Sequence, residues 1–217
     1  TTLDDNSAIL RAVKQAGVPF ILLNRKVKGV RNCFYFDSRA AARMATQHLI
    51  DLGHRRIAHL SGRVNPSTGL GRFAGYCDAL EAAKISYDPA LVAVSGYTVA
   101  GGAEAMKQIL ARNTPPPTAV FPLTLAAATG AMMVLHAHRI AVPQDMSVVT
   151  VHDGPMAEVM YPQLTTVRLP VEQMGYEGVH ALVDVIDGGR KEAKKQFDPI
   201  ELIERASTAP VREKRAV

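Results

Sequence analysis

The chain has 217 residues, 47% hydrophobic and 21% charged, with a formal net charge of +5. This is an ordinary globular composition, with enough chain for one large domain or two small lobes. It excludes a membrane-spanning helix, since no apolar run approaches the length of a span, and the start, TTLDDNSAIL, lacks the basic residues and apolar core of a signal peptide.

In chain order, apolar strand-like runs alternate with helical periodicities. A helix with apolar Ile9, Leu10 and Val13 ends at Gly17, and the strand FILLN (20–24) follows. NCFYF (32–36) is the next strand. It leads into a helix on which Ala41, Met44, Ala45, His48, Leu49 and Leu52 share one face, with Gly53 as the C-terminal cap. RIAHLSG (56–62) is a strand, followed by a loop with Asn65–Pro66 and Gly69 and a helix through GRFAGYCDALEAA. LVAVSG (91–96) precedes a helix over about 101–111. PPPTAVFPL brings a turn and a strand, AAATGAMMVLHAHRI a helix that ends before Val142–Pro143, and SVVTV (147–151) a further strand. Beyond Pro155, YPQLTTVRLP reads as extended. PVEQMGYEGVHALVDVIDGG is an amphipathic helix with Pro170 near its start and Gly188–Gly189 at its end, and IELIERAS is a last strand.

Repeated β–α alternation with short connections predicts an α/β fold with parallel sheets flanked by helices. SVVTV and LVAV do not alternate polar with apolar, so both read as strands buried on both faces. Open parallel sheets bind ligands beyond the carboxyl ends of their strands. Five such ends carry polar or special residues here: Asn24, Asp37, Ser61–Gly62, Gly96–Tyr97 and His152–Asp153. That is the pattern of a site rather than of a core.

Several chemistries lack their residues. Cys33 and Cys77 are far apart, outside any CxxC, and read as buried thiols of a reducing cytoplasm. The basic runs RNCFYFDSRAAAR, GGRKEAKK and VREKRAV are not interleaved with aromatics in a nucleic-acid pattern, so they read as solvated surface. GLGR, starting at Gly69, has the first GxG of a dinucleotide loop, but Gly75 misses the third position; GK[ST] and GxSxG do not occur. His136 and His138 are two apart on a helix and point in different directions, while His48, His54 and His59 lack ligand spacing, so no metal or other cofactor is expected. His152–Asp153 admits a general-base pair, a metal pair or a cleft wall. Without a nucleophile partner, the cleft wall is preferred and no enzyme is expected. Binding fits better: Arg72 offers a planar two-point donor, Tyr97 a stacking face, Asn24 and Thr124 directional hydrogen bonds.

HLIDLGHRRIAHLSG, GRFAGYCDAL, VPQDMSVVTVHD, YPQLTTVRLPVEQMG and LIERASTAP, in this order, resemble the effector-binding domain of the LacI/GalR family of bacterial transcription repressors, over residues 4–210. The resemblance implies the periplasmic-binding-protein type I fold: two α/β lobes joined by three crossovers, with a sugar-type effector between them. It implies an N-terminal lobe from 1–36 with 168–196, incomplete at its start, and a C-terminal lobe from 37–167 with 197–211. A basic tail, 212–217, follows, and no helix-turn-helix is present. The chain lacks an initiator Met and reads as a fragment. Carried over by position, Asn24 ends the VVLVDR-type strand and Phe36 sits at the first crossover. Arg72 matches the ligand-binding arginine, and Tyr97 the aromatic of the GDFT-type segment. Thr124 stands at the Asn of ANDxxA, and His152 and Asp153 at the two Asp residues of GFDD.

Two departures bear on the effector. FPLTLAAATGAM has lost both polar residues of ND, and TVHD replaces GFDD. With negative charge removed beside Arg72, a sugar acid or sugar phosphate is expected, gripped by a protonated His152. The implied protein is a cytoplasmic homodimer that binds operator DNA through a headpiece not in this chain. Its interface would lie largely on the first lobe, with Val179, Leu182, Val183 and Ile186 as contact or core residues. A periplasmic sugar-binding protein of a transport system is the alternative.

Overall fold

A computed structural model describes residues 7–62, 67–189, 192–198 and 200–211. The expected tail at 212–217 and the first six residues lie outside that set. Among the described residues, no helix is long and apolar enough to cross a membrane.

The first sheet is small. β1 (Leu22–Leu23) follows α1 (Ala8–Gln15), and both β1 and β8 (Lys194–Phe197) pair in parallel with β2 (Cys33–Phe36) in the order β1-β2-β8. The second sheet has six strands in the order β4-β3-β5-β6-β7-β9. These are β3 (Ile57–Ser61), β4 (Val92–Val94), β5 (Ala119–Pro122), β6 (Ser147–Val151), β7 (Thr165–Arg168) and β9 (Glu201–Ile203). All of its pairs are parallel except β7 with β9, so the all-parallel expectation fails at this edge. β9 enters the sheet from β8, beside the far end of β7, and therefore runs back along it.

Both faces of the six-stranded sheet are covered, which is why its strands are apolar without alternation. α2 (Ser38–Asp51) and α3 (Ser67–Ala82) cover one face with Ala42, Leu49 and Tyr76, against Ile57, Phe121, Val149 and Val151. α4 (Val99–Arg112) and α5 (Leu125–Ala137) cover the other with Met106, Ile109 and Leu135, against Ala58, Leu60, Val120 and Val148. Neighbouring residues of one strand thus serve opposite cores, the period of two of an extended chain. α4 and α5 approach closely at glycines. A Cβ on Gly102 would lie 2.2 Å from the Ala127 carbonyl oxygen, and one on Gly130 would lie 2.0 Å from that of Val99.

The strand pairing moves two expected boundaries. Arg168 pairs with Glu201 in the six-stranded sheet, and Phe197 pairs with Phe36 in the three-stranded sheet. β8 itself was not anticipated. Lys194, Lys195 and Gln196 are exposed and only Phe197 is buried, so KKQF carries almost no apolar signal. The short α6 (Pro155–Val159) lies in a stretch that the sequence alone does not mark as helical. α7 (Val171–Ile186) runs over the expected span, but Val179, Val183 and Ile186 on it are exposed rather than core.

Candidate functional site

The carboxyl ends of β4, β3, β5 and β6 are neighbours, and the residues just beyond them meet. Gly62 follows β3. A Cβ there would lie 2.8 Å from Leu123 Cδ1, 2.9 Å from Tyr97 Oη and 3.2 Å from Gly69 Cα. Only glycine leaves room for the loops after β4 and β5 and the start of α3 to converge.

Arg72, in the second turn of α3, is 1% exposed. Its guanidinium donates through Nη1 to the Leu123 carbonyl and through Nη2 to His152 Nε2, at 2.8 Å for the latter; Nε has no partner. Burial lowers its pKa to about 10, which leaves it charged at neutral pH. His152 adopts φ +80° just after β6, and its backbone N–H donates to Val167 O at 3.0 Å. Burial, then the charge of Arg72, pushes the imidazole down to about 3. The ring is neutral, Nε2 accepts from the arginine, and the proton sits on Nδ1. Without a ligand, the ring is neutral rather than protonated as the sequence suggests, because it is buried and faces a cation.

Asp153 also departs from the expected cleft-facing position. Its side chain is 7% exposed and turned to the edge of the sheet. It accepts from Thr166 Oγ1 at 2.8 Å, from Arg168 Nε and Nη2 at 3.0 and 2.9 Å, and from Arg205 Nη1 and Nη2 at 2.7 and 3.2 Å. Burial works against its ionisation, but those hydrogen bonds outweigh it and hold the carboxyl well below the usual range. Asp153 ties β6 to β7 and to the segment after β9, and has no acceptor capacity aimed at a ligand. Arg168 and Arg205 are the residues that sequence reasoning missed. They lie within LTTVRLP and ERASTAP, so the motifs flagged the segments but not the ion pairs joining them.

Thr124 caps α5 by accepting from Ala127 N at 3.2 Å, which leaves its own hydrogen to donate. Asp37 and Thr98 cap α2 and α4 in the same way. Polar residues at these strand ends therefore serve the helix starts as well as a site. The Tyr97 hydroxyl is buried without a partner. Burial raises its pKa, opposed by the fields of Arg72 and Arg25.

Asn24 and Phe36 belong to the other side. Asn24 takes φ +54°, and its carbonyl accepts from Thr68 Oγ1 at 3.4 Å. Asn24, Arg25, Phe36, Thr68 and Gly71 line a cavity of about 310 Å³ between the first sheet and the starts of α2 and α3. Phe36 is 4% exposed and packs edge-on against Phe197, so it is a core residue as much as a lining one. Thr68 and Arg72 are four apart on α3 and share a helix face, which links this cavity to the buried guanidinium one turn further on.

Three further histidines are held inside the fold. His59 stacks between Tyr76 and Phe121, at centroid distances of 5.0 and 4.8 Å, and its Nδ1 donates to Phe121 O. His54 bonds Thr118, Ser147 and Ala209, and His48 bonds Thr208.

Residues 46–208 match the family of periplasmic binding protein-like domains. The HTH-type transcriptional regulator CelR of Thermobifida fusca is 35% identical over 190 residues, covering 86% of this chain and 56% of its own length. The solved complex of the regulator CelR with cellobiose superimposes with a TM-score of 0.87, at 35% identity, over 94% of this chain and 63% of that one. A LacI family regulator from Mycobacterium smegmatis gives a TM-score of 0.88 at 32% identity, over 95% of this chain and 75% of that one. The chain thus spans about half the length of the curated relatives it matches. By the residues matched and by the fold, it belongs to the periplasmic binding protein-like domain family, in the form carried by LacI/GalR-type transcriptional regulators.

Proposed function

We propose that this chain is the effector-binding region of a cytoplasmic transcriptional regulator. It takes a small sugar-type ligand, a sugar or sugar acid, in the cleft between its two sheets. In the parent protein, occupancy of the cleft would bias the relative position of the two lobes, and so the binding of an operator by a DNA-binding headpiece. The observation that carries this reading is the convergence of Arg72, Tyr97 and His152 at the strand ends, one helical turn from the cavity lined by Asn24 and Thr68. Two related regulators are described with sugars bound, one with cellobiose and one from Enterococcus faecium with ribose. These relatives favour a regulator over a transport protein.

The test is a thermal-shift screen of sugars, sugar acids and sugar phosphates on the full-length protein. A ligand that binds only the native state raises the melting temperature by mass action. At least one sugar-type compound is expected to do so and to change retention of operator DNA in a mobility-shift assay. A screen in which nothing moves the melting temperature contradicts the reading.

A further inference from the structure

Arg72 is buried to 1% exposure, yet among the described residues no carboxylate pairs with it. Its partners are a carbonyl oxygen and a neutral imidazole, both uncharged. Asp153, which follows His152 in the chain, is committed to Arg168 and Arg205. The four residues before α3, Arg63 to Pro66, include no Asp or Glu. A buried charge without a counter-ion is costly, and proteins tolerate it where a ligand completes the pair. Two buried donors in the same place are also unused, Arg72 Nε–H and Tyr97 O–H.

We infer that the ligand carries a single carboxylate that serves as the counter-ion Arg72 lacks. This rests on the effector-binding reading above and names the class of effector within it. The one buried positive charge is matched by one negative charge. A dianionic phosphate would leave a negative charge unpaired in the same low-dielectric space. Two unpartnered donors, on Arg72 and Tyr97, match the two oxygens of a carboxylate. His152 is a positioning residue. Its Nε2 holds the guanidinium against the Leu123 carbonyl without neutralising it, whereas an aspartate at this position would supply the missing charge internally and leave a site for neutral sugars.

The test is calorimetric titration of the full-length protein at constant ionic strength with D-glucose, D-galactose and D-ribose, their uronic and aldonic acids, and their terminal phosphates. Wild type, Arg72→Gln and His152→Asp are compared. In wild type the tightest ligand is a sugar acid, roughly ten- to a hundredfold tighter than its neutral parent, the range of one charged hydrogen-bonded contact. Arg72→Gln removes that margin. His152→Asp, which retains the arginine, reverses the preference in favour of the neutral sugar. A neutral sugar or a sugar phosphate that binds wild type at least as tightly as the acid overturns the inference and leaves the effector-binding reading standing. So does an acid preference that survives in both variants. The absence of binding by every sugar and sugar acid overturns the reading and the inference together.

Discussion

His152 sits at φ +80°, a conformation that costs a non-glycine residue energy and is held in place by its backbone bond to Val167 and its ring bond to Arg72. Its imidazole stays neutral down to about pH 3, so affinity for the effector should be flat between pH 5 and 8 in calorimetry. The sequence alone suggests the opposite, weaker binding as pH rises, because it shows the replacement of Asp by His but not the cation against which the ring lies. Stability responds differently. His59, pushed by burial to about 4, and His152 both remain neutral in the native state below the pH at which an unfolded histidine protonates, about 6.5. The unfolded chain then binds more protons, so stability falls as pH drops below that value, by about 1.4 kcal/mol per pH unit for each histidine. Urea unfolding at pH 7 and 5 should show this slope, and His59→Phe should reduce it by one proton's worth. Asp153, depressed by its arginines, adds a loss at still lower pH, as its carboxylate is protonated. Asp153→Ala leaves the mostly buried Arg205 with only the 3.5 Å contact to the exposed Glu158 as a charged partner and should destabilise by about 3 kcal/mol. An unchanged urea midpoint would contradict the bracing role.

Helices α4 and α5 begin beside the site, and their mutual approach at Gly102 and Gly130 fixes where Thr98 and Thr124 stand. A methyl group at position 130 meets the Val99 carbonyl oxygen, so Gly130→Ala should cost about 1–3 kcal/mol by overpacking. Thr124→Ala should cost about 1 kcal/mol by loss of the cap. If chemical denaturation finds Thr124→Ala the costlier of the two, close packing does not set the helix positions. Elements whose pattern is local were legible in the sequence: α2 with its apolar face and terminal Gly53, or β6 with five consecutive buried residues. Elements defined by their partners were not. β8 exposes three of four side chains and exists because β2 offers an edge, and β9 is antiparallel because of where the chain re-enters the sheet. The site divides the same way. GRFAGYCDAL marks Arg72 and SGYT marks Tyr97, but linear order says nothing of a guanidinium facing an imidazole 80 residues away.

At the scale of the whole molecule, the first sheet meets the starts of α2 and α3 across the cavity that holds Asn24 and Thr68, and among the exposed apolar side chains of the described residues two groups stand out. One is α7, with Tyr176, Val179, Val183 and Ile186; the other joins α5, the end of α6 and the segment after it, with Met133, Val159 and Tyr161, which is 98% exposed. Patches of this kind mark contacts between protein chains. The homodimer implied by the family resemblance should appear in light scattering of the full-length protein at micromolar concentration. Val179→Asp weakens it if α7 is the contact, and Tyr161→Asp if the α5 end is. A monomer in wild type contradicts the proposal. A crystal structure of the full-length protein with its tightest sugar-type ligand decides whether the effector sits at this cleft. The ligand is predicted within hydrogen-bond distance of Arg72 and Tyr97, with Asp153 still held by Arg168 and Arg205. A ligand seated elsewhere, or one gripped by Asp153 with Arg72 untouched, would contradict it.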